Sequence, residues 1–318
     1  MDVPIWAVLL FFCGRFLVGW VLDRPVDSTV KVEEFPLLNV TEDSLDPETF
    51  QRLRNAVVGA NGLASSKWSR GNQLNAGFKD TKGFVLRFNE EGVDDAFAGD
   101  FAPLRPFWQA VRAPEDNAFV LNLVYVSAAD CANVGDAAVA LHIDETVGID
   151  SARVFLAHAV SVLYLEAAVD TKGGRLELFA NISYDDMAHA QDGFLQTPPD
   201  ASVGPFPNRL AVFRGNAHHR VSRYCAASPA APRVSLVLEA YRIEPRYYAS
   251  TTKFEVLGED HRVYGAQIGM SYSTAALAKF RWQSGGVAAQ AGHGAVLTAL
   301  ALVLIVAFTK VTAKKKED

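Results

Sequence analysis

From Glu115 onward the chain is built of short runs of apolar or alternating residues. Clusters of Gly, Pro, Asp and Asn, which are typical of turns, separate these runs. Many strand-length segments with turn signals between them predict a β-sandwich or a β-barrel. The predicted strands are Phe119 to Val126, Ala137 to Ile143, Ala159 to Ala168, Arg175 to Phe179, Leu210 to Phe213, His219 to Tyr224 and Val234 to Ile243.

Two segments before this region have the spacing of helices instead. Asp46 to Leu63 carries apolar residues on one side of a helix and begins with Asp-Pro, a suitable helix start. Pro103 to Arg112 shows a second apolar stripe of the same kind. Half of the 318 residues are hydrophobic, so the chain is long and apolar enough for one sizeable buried core.

The charge balance of the chain is mildly acidic. Lys and Arg total 30 against 36 Asp and Glu, which gives a formal net charge of -6. No long basic run occurs outside the extreme C-terminus. A nucleic-acid partner is therefore not expected, because such partners select proteins with basic surfaces.

Both ends of the chain predict targeting or membrane segments. Residues 1–22 are apolar and favour either a cleaved signal peptide or an uncleaved N-terminal anchor. Residues 287–309 predict a transmembrane helix, and the basic tail at 310–318 is expected in the cytosol. The predicted protein is thus a type I protein of the endoplasmic reticulum or another secretory-pathway membrane, with its main domain lumenal. The dilysine at Lys315 fits either a retrieval signal or a plain stop-transfer cluster.

Four further residues agree with a lumenal domain. Asn39 and Asn181 each begin an Asn-x-Ser/Thr triplet, the acceptor pattern for N-glycosylation. Cys131 and Cys225 remain if a signal peptide is removed, and they flank the segments that contain the metal-ligand candidates. They are candidates for a disulfide in an oxidising compartment, with two buried free thiols as the alternative.

The most informative motif is a His-x-Asp pair that is followed much later by another histidine. On a strand, His142 and Asp144 would project from the same face, because side chains alternate. Together with His219 from a neighbouring strand they would form a facial triad, which leaves about three positions of an octahedral Fe(II) open. Alone, the pair is weak evidence, and by itself His142 is more typical of a half-buried histidine with satisfied hydrogen bonds.

A second pair at the same spacing adds weight to this interpretation. Arg233 and Ser235 begin a predicted strand and would share one face. The guanidinium fork and the hydroxyl are suited to the distal carboxylate of a dicarboxylic cosubstrate.

Taken in order, these motifs resemble the 2-oxoglutarate and Fe(II)-dependent oxygenase superfamily, particularly its prolyl 4-hydroxylase-like branch. The resemblance runs from Asn117 to Ile243, and Glu166 departs from it because the branch usually has Asn there. The matching pieces are the His142, Asp144 and His219 set, Val162 to Glu166, Gly173 to Phe179, Pro207 to Phe213, His218 to Val221 and Arg233 to Leu236.

The resemblance implies a fold and a division of the chain. The fold would be mainly β with flanking helices (α+β), around a double-stranded β-helix (jelly-roll, cupin-like) core. That core would span 116–245, after a helical N-terminal support region at 25–115 and before a C-terminal extension at 246–285.

It also implies roles for the motif residues. The His142, Asp144 and His219 set would bind Fe(II), while Arg233, Ser235 and Tyr164 would hold 2-oxoglutarate. No catalytic residue beyond the metal ligands is expected.

The implied activity is hydroxylation of a substrate C–H with release of succinate and CO2. It would use O2, with ascorbate as the reductant. A lumenal member would most naturally act on peptidyl proline in secretory proteins, so a protein or peptide substrate is expected. Two alternatives stay open: a cupin-type metalloenzyme that needs no 2-oxoglutarate, and a non-catalytic, membrane-tethered binding domain.

Overall fold

The computed structural model describes residues 26–27, 35–69, 81–128, 137–144, 154–168, 172–180, 198–225, 232–257 and 263–264, all within one compact unit, Met1–Gln267. The predicted segments 1–22, 287–309 and 310–318 lie outside these residues, as do Asn181 and Cys131. Within the described ranges, no helix has the length and apolar character needed to cross a bilayer.

Both helices predicted from the sequence are present. The α-helices are α1 (Pro47–Val58), α2 (Val93–Ala96), α3 (Arg105–Val111) and α4 (Pro245–Tyr248). Short 3-10 helices cover Leu63–Ser65, Lys67–Ser69, Glu90–Gly92 and Gly99–Leu104. The first turn of α1 is capped by Asp46, whose carboxylate accepts a 2.9 Å hydrogen bond from the Thr49 amide.

The rest of the regular structure is β. In chain order the strands are β1 (Val26–Asp27), β2 (Leu38–Thr41), β3 (Thr81–Asn89), β4 (Ala118–Val126), β5 (Ala137–His142), β6 (Val154–Phe155), β7 (Ala159–Glu166), β8 (Lys172–Gly173), β9 (Leu176–Phe179), β10 (Ala201–Val203), β11 (Leu210–Arg214), β12 (His218–Ser222), β13 (Tyr224–Cys225), β14 (Arg233–Tyr241), β15 (Phe254–Leu257) and β16 (Val263–Tyr264).

Two antiparallel sheets form the core. The larger has the order β16-β15-β3-β4-β14-β7-β11-β2, and the smaller has the order β10-β9-β12-β5. Along the chain, β4, β7, β11 and β14 belong to the larger sheet, whereas β5, β9, β10 and β12 belong to the smaller. The chain therefore winds back and forth between two facing sheets. This is the topology of a double-stranded β-helix, and the predicted fold class is confirmed.

The larger sheet is covered on both faces. One face packs against the helices, with Leu53 of α1 and Trp108 of α3 in the same apolar cluster as Leu236 of β14. Val237 and Tyr241 of β14 pack instead with the cluster that includes Leu178 of the smaller sheet. Because side chains alternate along a strand, every second residue of β14 from its first position onward faces the interior between the sheets.

The sequence predicts a helical region at 25–115, and the structure corrects this for two of its segments. β2 pairs with β11 at one edge of the larger sheet, and β3 pairs with β4 along its whole length. β3 is buried on both faces, so its sequence lacks the alternation that reveals a strand with one exposed face.

Candidate metal centre

The three predicted metal ligands meet on the smaller sheet. His142 is the last residue of β5 and pairs directly with His219 of β12. Asp144 lies two residues beyond the end of β5, next to both imidazoles. The antiparallel register thus joins ligands that are far apart in sequence.

The distances within this group fit a shared metal ion. Nε2 of His142 lies 3.5 Å from Oδ1 of Asp144, and Nε2 of His219 lies 3.4 Å from Oδ2. The candidate ligand atoms all lie within 4.8 Å of one another. In the part of the chain that the structure describes, this is the one group of three such side chains with that spacing.

Hydrogen bonds to the backbone orient both imidazoles. Nδ1 of His142 lies 2.7 Å from the Ala140 carbonyl, and Nδ1 of His219 lies 3.2 Å from the Ala217 carbonyl. A carbonyl only accepts, so Nδ1 carries the proton in each ring. Nε2 is then the nitrogen that each ring turns toward Asp144, and once unprotonated it can ligate a metal ion.

His142, Asp144 and His219 shift one another's pKa. Burial lowers the pKa of His219 to about 4, and the neighbouring charge of His142 acts in the same direction. Burial also opposes protonation of His142, but its hydrogen bond to Asp144 and that residue's charge outweigh it, so the pKa of His142 is raised. Although burial alone would raise the pKa of Asp144, the two imidazoles hold it below its ordinary value.

The chemistry of this donor set fits a divalent iron ion. Two neutral imidazoles and one carboxylate on one side of a cavity are the ligands that non-haem Fe(II) takes in facial coordination. Oδ2 of Asp144 is buried and makes no hydrogen bond of ordinary geometry. A buried carboxylate oxygen in that state is suited to a cation.

A buried cation lies on the strand opposite. Arg233, the first residue of β14, is 2% exposed and has no carboxylate within 4.0 Å among the described residues. Its Nε donates to the Gly174 carbonyl at 3.0 Å, and Nη1 lies 3.3 Å from the Ser235 hydroxyl. In the described part of the chain, therefore, only neutral groups hydrogen-bond to the guanidinium.

Tyr164 completes this cationic pocket. It pairs with Ser235 across β7 and β14, and its ring centroid lies 5.0 Å from the Arg233 guanidinium carbon. Its hydroxyl is buried without a hydrogen bond of ordinary geometry. Burial raises the pKa of Tyr164, although the charge of Arg233 opposes that shift. The predicted cosubstrate residues are thus brought together by the structure.

The Gly-Gly turn before β9 serves the same pocket. Gly173 and Gly174 both have positive φ, at 73° and 65°. A side chain on Gly174 would collide with the Tyr224 ring and approach the Arg233 side chain. Position 174 therefore needs glycine, because no side chain fits there at this positive φ. The same turn places the Gly174 carbonyl against the Arg233 guanidinium.

The structure also shows what the unusual Glu166 does. Its carboxylate forms an ion pair with Arg54 of α1 and so ties the end of β7 to that helix. This is a structural role at the surface of the larger sheet. The departure from the family pattern at Glu166 leaves the cationic pocket intact.

Sequence reasoning missed a polar group inside the barrel. Asn122 of β4, with Glu239 and Tyr241 of β14, forms a hydrogen-bonded cluster among apolar neighbours. The available signal was spacing: Glu239 is six residues beyond Arg233 and therefore shares its face. An isolated Glu in an apolar run does not by itself predict a buried polar cluster, because its partner Asn122 lies on the neighbouring strand β4.

Two further predicted residues have defined surroundings. Asn39 is exposed on the edge strand β2. Cys225 is buried and disulfide-bonded. The predicted partner of Cys225, Cys131, lies outside the described ranges, so that pairing stays a prediction.

Comparison with known proteins finds similarity in structure but not in sequence. No family model and no curated protein matches the chain. A prolyl hydroxylase from Trichoplax adhaerens, solved with a hypoxia inducible factor peptide fragment, is 12% identical with a TM-score of 0.44, over 73% of this chain and 94% of that one. A Pseudomonas putida prolyl-4-hydroxylase is 15% identical with a TM-score of 0.36, over 67% and 95%.

A third solved structure, HygX from Streptomyces hygroscopicus with nickel and 2-oxoglutarate bound, is 12% identical with a TM-score of 0.34, over 65% and 83%. The solved structures with which this chain shares similarity thus include prolyl hydroxylases and 2-oxoglutarate/Fe(II) oxygenases, the class that the motifs resemble.

Proposed function

We propose that this chain is a 2-oxoglutarate- and Fe(II)-dependent dioxygenase that hydroxylates a substrate C–H. One observation carries the proposal: inside the same barrel, a three-residue metal cluster faces a buried arginine that has no anionic partner among the described residues. A metal cluster alone would fit many cupin-type proteins. A dicarboxylic cosubstrate explains both features, because it ligates the metal and neutralises the buried guanidinium.

The residues divide the work of binding. His142, Asp144 and His219 would hold Fe(II) on one face and leave its remaining positions open. Arg233 and Ser235 would grip the distal carboxylate of 2-oxoglutarate, and the Tyr164 hydroxyl would add a third hydrogen bond. When bound, the iron supplies the oxidising chemistry that couples decarboxylation of 2-oxoglutarate to succinate and CO2 with hydroxylation by O2.

The protein's contribution is orientation and exclusion of water. Arg233 is fixed by neutral hydrogen bonds before any ligand arrives, so little side-chain freedom is lost on binding. The imidazoles are likewise held by the carbonyls of Ala140 and Ala217. The apolar residues that line the barrel would limit the access of solvent to the reacting atoms.

The substrate and the compartment belong to the same proposal. Peptidyl proline of secretory proteins is the first candidate acceptor, with ascorbate as the reductant. We propose a type I endoplasmic reticulum or other secretory-pathway membrane protein, anchored by 287–309, with a disulfide between Cys131 and Cys225. The exposed position of Asn39 and the disulfide at Cys225 support a lumenal domain.

Glycosidase treatment tests the compartment. We expect the full-length chain expressed in eukaryotic cells to lose mass on N-glycosidase treatment, and Asn39→Gln with Asn181→Gln to abolish that loss. An unchanged mass in the parent chain would contradict lumenal placement.

Succinate formation tests the activity. The full-length chain is incubated with Fe(II), 2-oxoglutarate and ascorbate, beside Asp144→Ala, Arg233→Ala and the exposed control Arg246→Ala. We expect turnover in the parent and the control, none in Asp144→Ala, and a large loss in Arg233→Ala. Turnover is measured without added acceptor, as the slow uncoupled reaction.

Two other outcomes would each support one of the alternative functions. Metal binding that is indifferent to Arg233 and to 2-oxoglutarate would indicate the cupin-type alternative. No metal binding by the parent chain would indicate the non-catalytic binding domain.

A further inference from the structure

The interior face of β14 carries two buried charged residues of opposite sign. Arg233 is 2% exposed and Glu239 is 6% exposed. Among the residues that the structure describes, neither has an oppositely charged side chain within 4.0 Å. Buried ionisable side chains in proteins are nearly always paired or bind a ligand, so both positions are candidates for an external partner.

Neutral groups hold the Glu239 carboxyl in a fixed orientation. Its Oε1 accepts a 2.8 Å hydrogen bond from the Asn122 amide, and its Oε2 accepts a 2.7 Å bond from the Tyr241 hydroxyl. Oδ1 of Asn122 is buried beside this carboxyl and makes no hydrogen bond of ordinary geometry. Oδ1 of Asn122 is thus an acceptor beside the Glu239 carboxyl that no group in the described part of the chain satisfies.

Strand register places Glu239 level with the metal centre. Glu239 pairs with Val160, Val160 pairs with Phe213, and the Phe213 ring centroid lies 4.8 Å from that of His219. Ser235 of the cationic pocket lies four residues away along the same face of β14.

Asp144 approaches the same level from the smaller sheet. Its carbonyl accepts a hydrogen bond from the Ala157 amide, and the next amide, that of His158, donates to the Ala240 carbonyl beside Glu239. Burial and, next, the charge of Asp144 raise the pKa of Glu239 to about 8.

We propose that Glu239 receives the substrate of this oxygenase and that the substrate presents a primary ammonium group to it. This rests on the proposed function, because the cationic end of the barrel is assigned to the 2-oxoglutarate carboxylate. The acidic end is then left for the second reactant. An ammonium group donates charge-assisted hydrogen bonds to the carboxylate and to Oδ1 of Asn122. A peptidyl proline has no N–H to donate, so a lysine-like side chain replaces it as the first candidate acceptor.

Ligand-observed NMR on the full-length chain tests this inference. The chain is loaded with Mn(II) and 2-oxoglutarate, and the probes are N-acetyl-lysinamide, the uncharged N-acetyl-norleucinamide of matched length, and N-acetyl-prolinamide. Dissociation constants come from titration, and paramagnetic broadening of the probe signals reports proximity to the metal. Glu239→Gln is the test variant, and Glu244→Gln, at a half-buried glutamate that pairs with Arg246, is the control.

We expect lysinamide to bind the parent chain and Glu244→Gln about tenfold more tightly than norleucinamide, the size of one charge-assisted hydrogen bond. Glu239→Gln should lose that preference. Equal binding of the three probes by the parent, or a preference retained by Glu239→Gln, would overturn the inference. If Glu239→Gln does not fold, Tyr241→Phe decides. It removes the hydrogen bond that orients the Glu239 carboxyl and lowers its pKa, so it should weaken the preference.

The failure of the proposed function gives a separate signal. Calorimetry with Mn(II) and with 2-oxoglutarate alone measures the metal and cosubstrate sites before any probe is added. Lack of binding there contradicts the oxygenase assignment, whereas normal binding there with no lysinamide preference contradicts only the role of Glu239.

Discussion

Two pairs of buried charges in this barrel differ in one respect. Arg87 of β3 and Glu255 of β15 lie side by side and neutralise each other, with Nη1 and Oε1 2.6 Å apart. Arg233 and Glu239 share a face of β14, and among the described residues each makes its side-chain hydrogen bonds with neutral groups. Burial raises the pKa of Glu239 and the charge of Arg87 acts to lower it, but Arg87 does not form an ion pair with Glu239. A paired charge contributes to the fold, whereas a charge that is positioned and not neutralised remains available to a ligand. The second arrangement costs stability, and we infer that binding is the reason for it.

The largest expected difference between the two pairs is in the free energy of unfolding. Arg87→Met leaves Glu255 buried and unpaired, so we expect a loss of about 3–5 kcal/mol in the free energy of unfolding. Arg233→Met removes a charge that has no partner among the described residues, so the unliganded chain should be unchanged or more stable. Urea unfolding without metal or cosubstrate measures both. A larger loss for Arg233→Met than for Arg87→Met would show that Arg233 is a structural residue.

Cosubstrate affinity should separate Arg233 from arginines at the surface. Arg233→Gln is expected to weaken 2-oxoglutarate binding about 100-fold, because a carboxylate then lacks its buried cation. Arg233→Lys should recover only part of the loss, since an ammonium does not reproduce the guanidinium fork. Calorimetry with the Fe(II)-loaded, oxygen-free chain gives the dissociation constants, with Arg246→Gln as the control. Equal affinity in Arg233→Gln and the parent would contradict the cosubstrate pocket.

The pH dependence of stability should sharpen the account of Glu239. In the unfolded chain its carboxyl ionises near pH 4.5, whereas burial and Asp144 raise the folded pKa to about 8. The folded state therefore holds the extra proton between these values, and stability should fall as pH rises through this window. Relative to the parent, Glu239→Gln should gain on the order of 2 kcal/mol between pH 4 and pH 9.

Thermal or urea unfolding of both chains across that range measures the difference. Bound divalent metal should reduce it, because the ion offsets the charge of Asp144. A parallel pH profile in the two chains would mean that Glu239 titrates normally.

Metal affinity should show the smallest effect, a dependence on one proton near neutral pH. His219, with a pKa of about 4, is already neutral there, and the lowered pKa of Asp144 keeps it ionised. His142 has a raised pKa, so it alone must lose a proton to bind the ion. Affinity should thus fall about tenfold for each pH unit below the pKa of His142. A hundredfold fall per unit would mean that both imidazoles are protonated.

The sequence predicted the strands that alternate and the ligands that share one strand. His142 with Asp144, and Arg233 with Ser235, follow from period-two spacing, and the register of β5 with β12 then brings His219 to them. Strand spacing did not reveal β3, because both of its faces are buried and its pattern lacks alternation.

The acidic end of the barrel could not be predicted in the same way. Glu239 acquires a meaning only from partners that are distant in sequence, Asn122 on β4 and Phe213 on β11. Such contacts depend on which strands become neighbours, and that is a property of the whole fold. The Gly173-Gly174 turn was visible in the sequence, but its contact with Arg233 was not.

The most direct test of the account is calorimetric titration of the full-length chain with 2-oxoglutarate in the absence of oxygen, with and without Fe(II). We predict one Fe(II) and one 2-oxoglutarate per chain, with cosubstrate binding that requires the metal and is lost in Asp144→Ala. Binding of 2-oxoglutarate that is equally tight without metal, or in Asp144→Ala, would contradict the assignment of His142, Asp144 and His219 as the iron site.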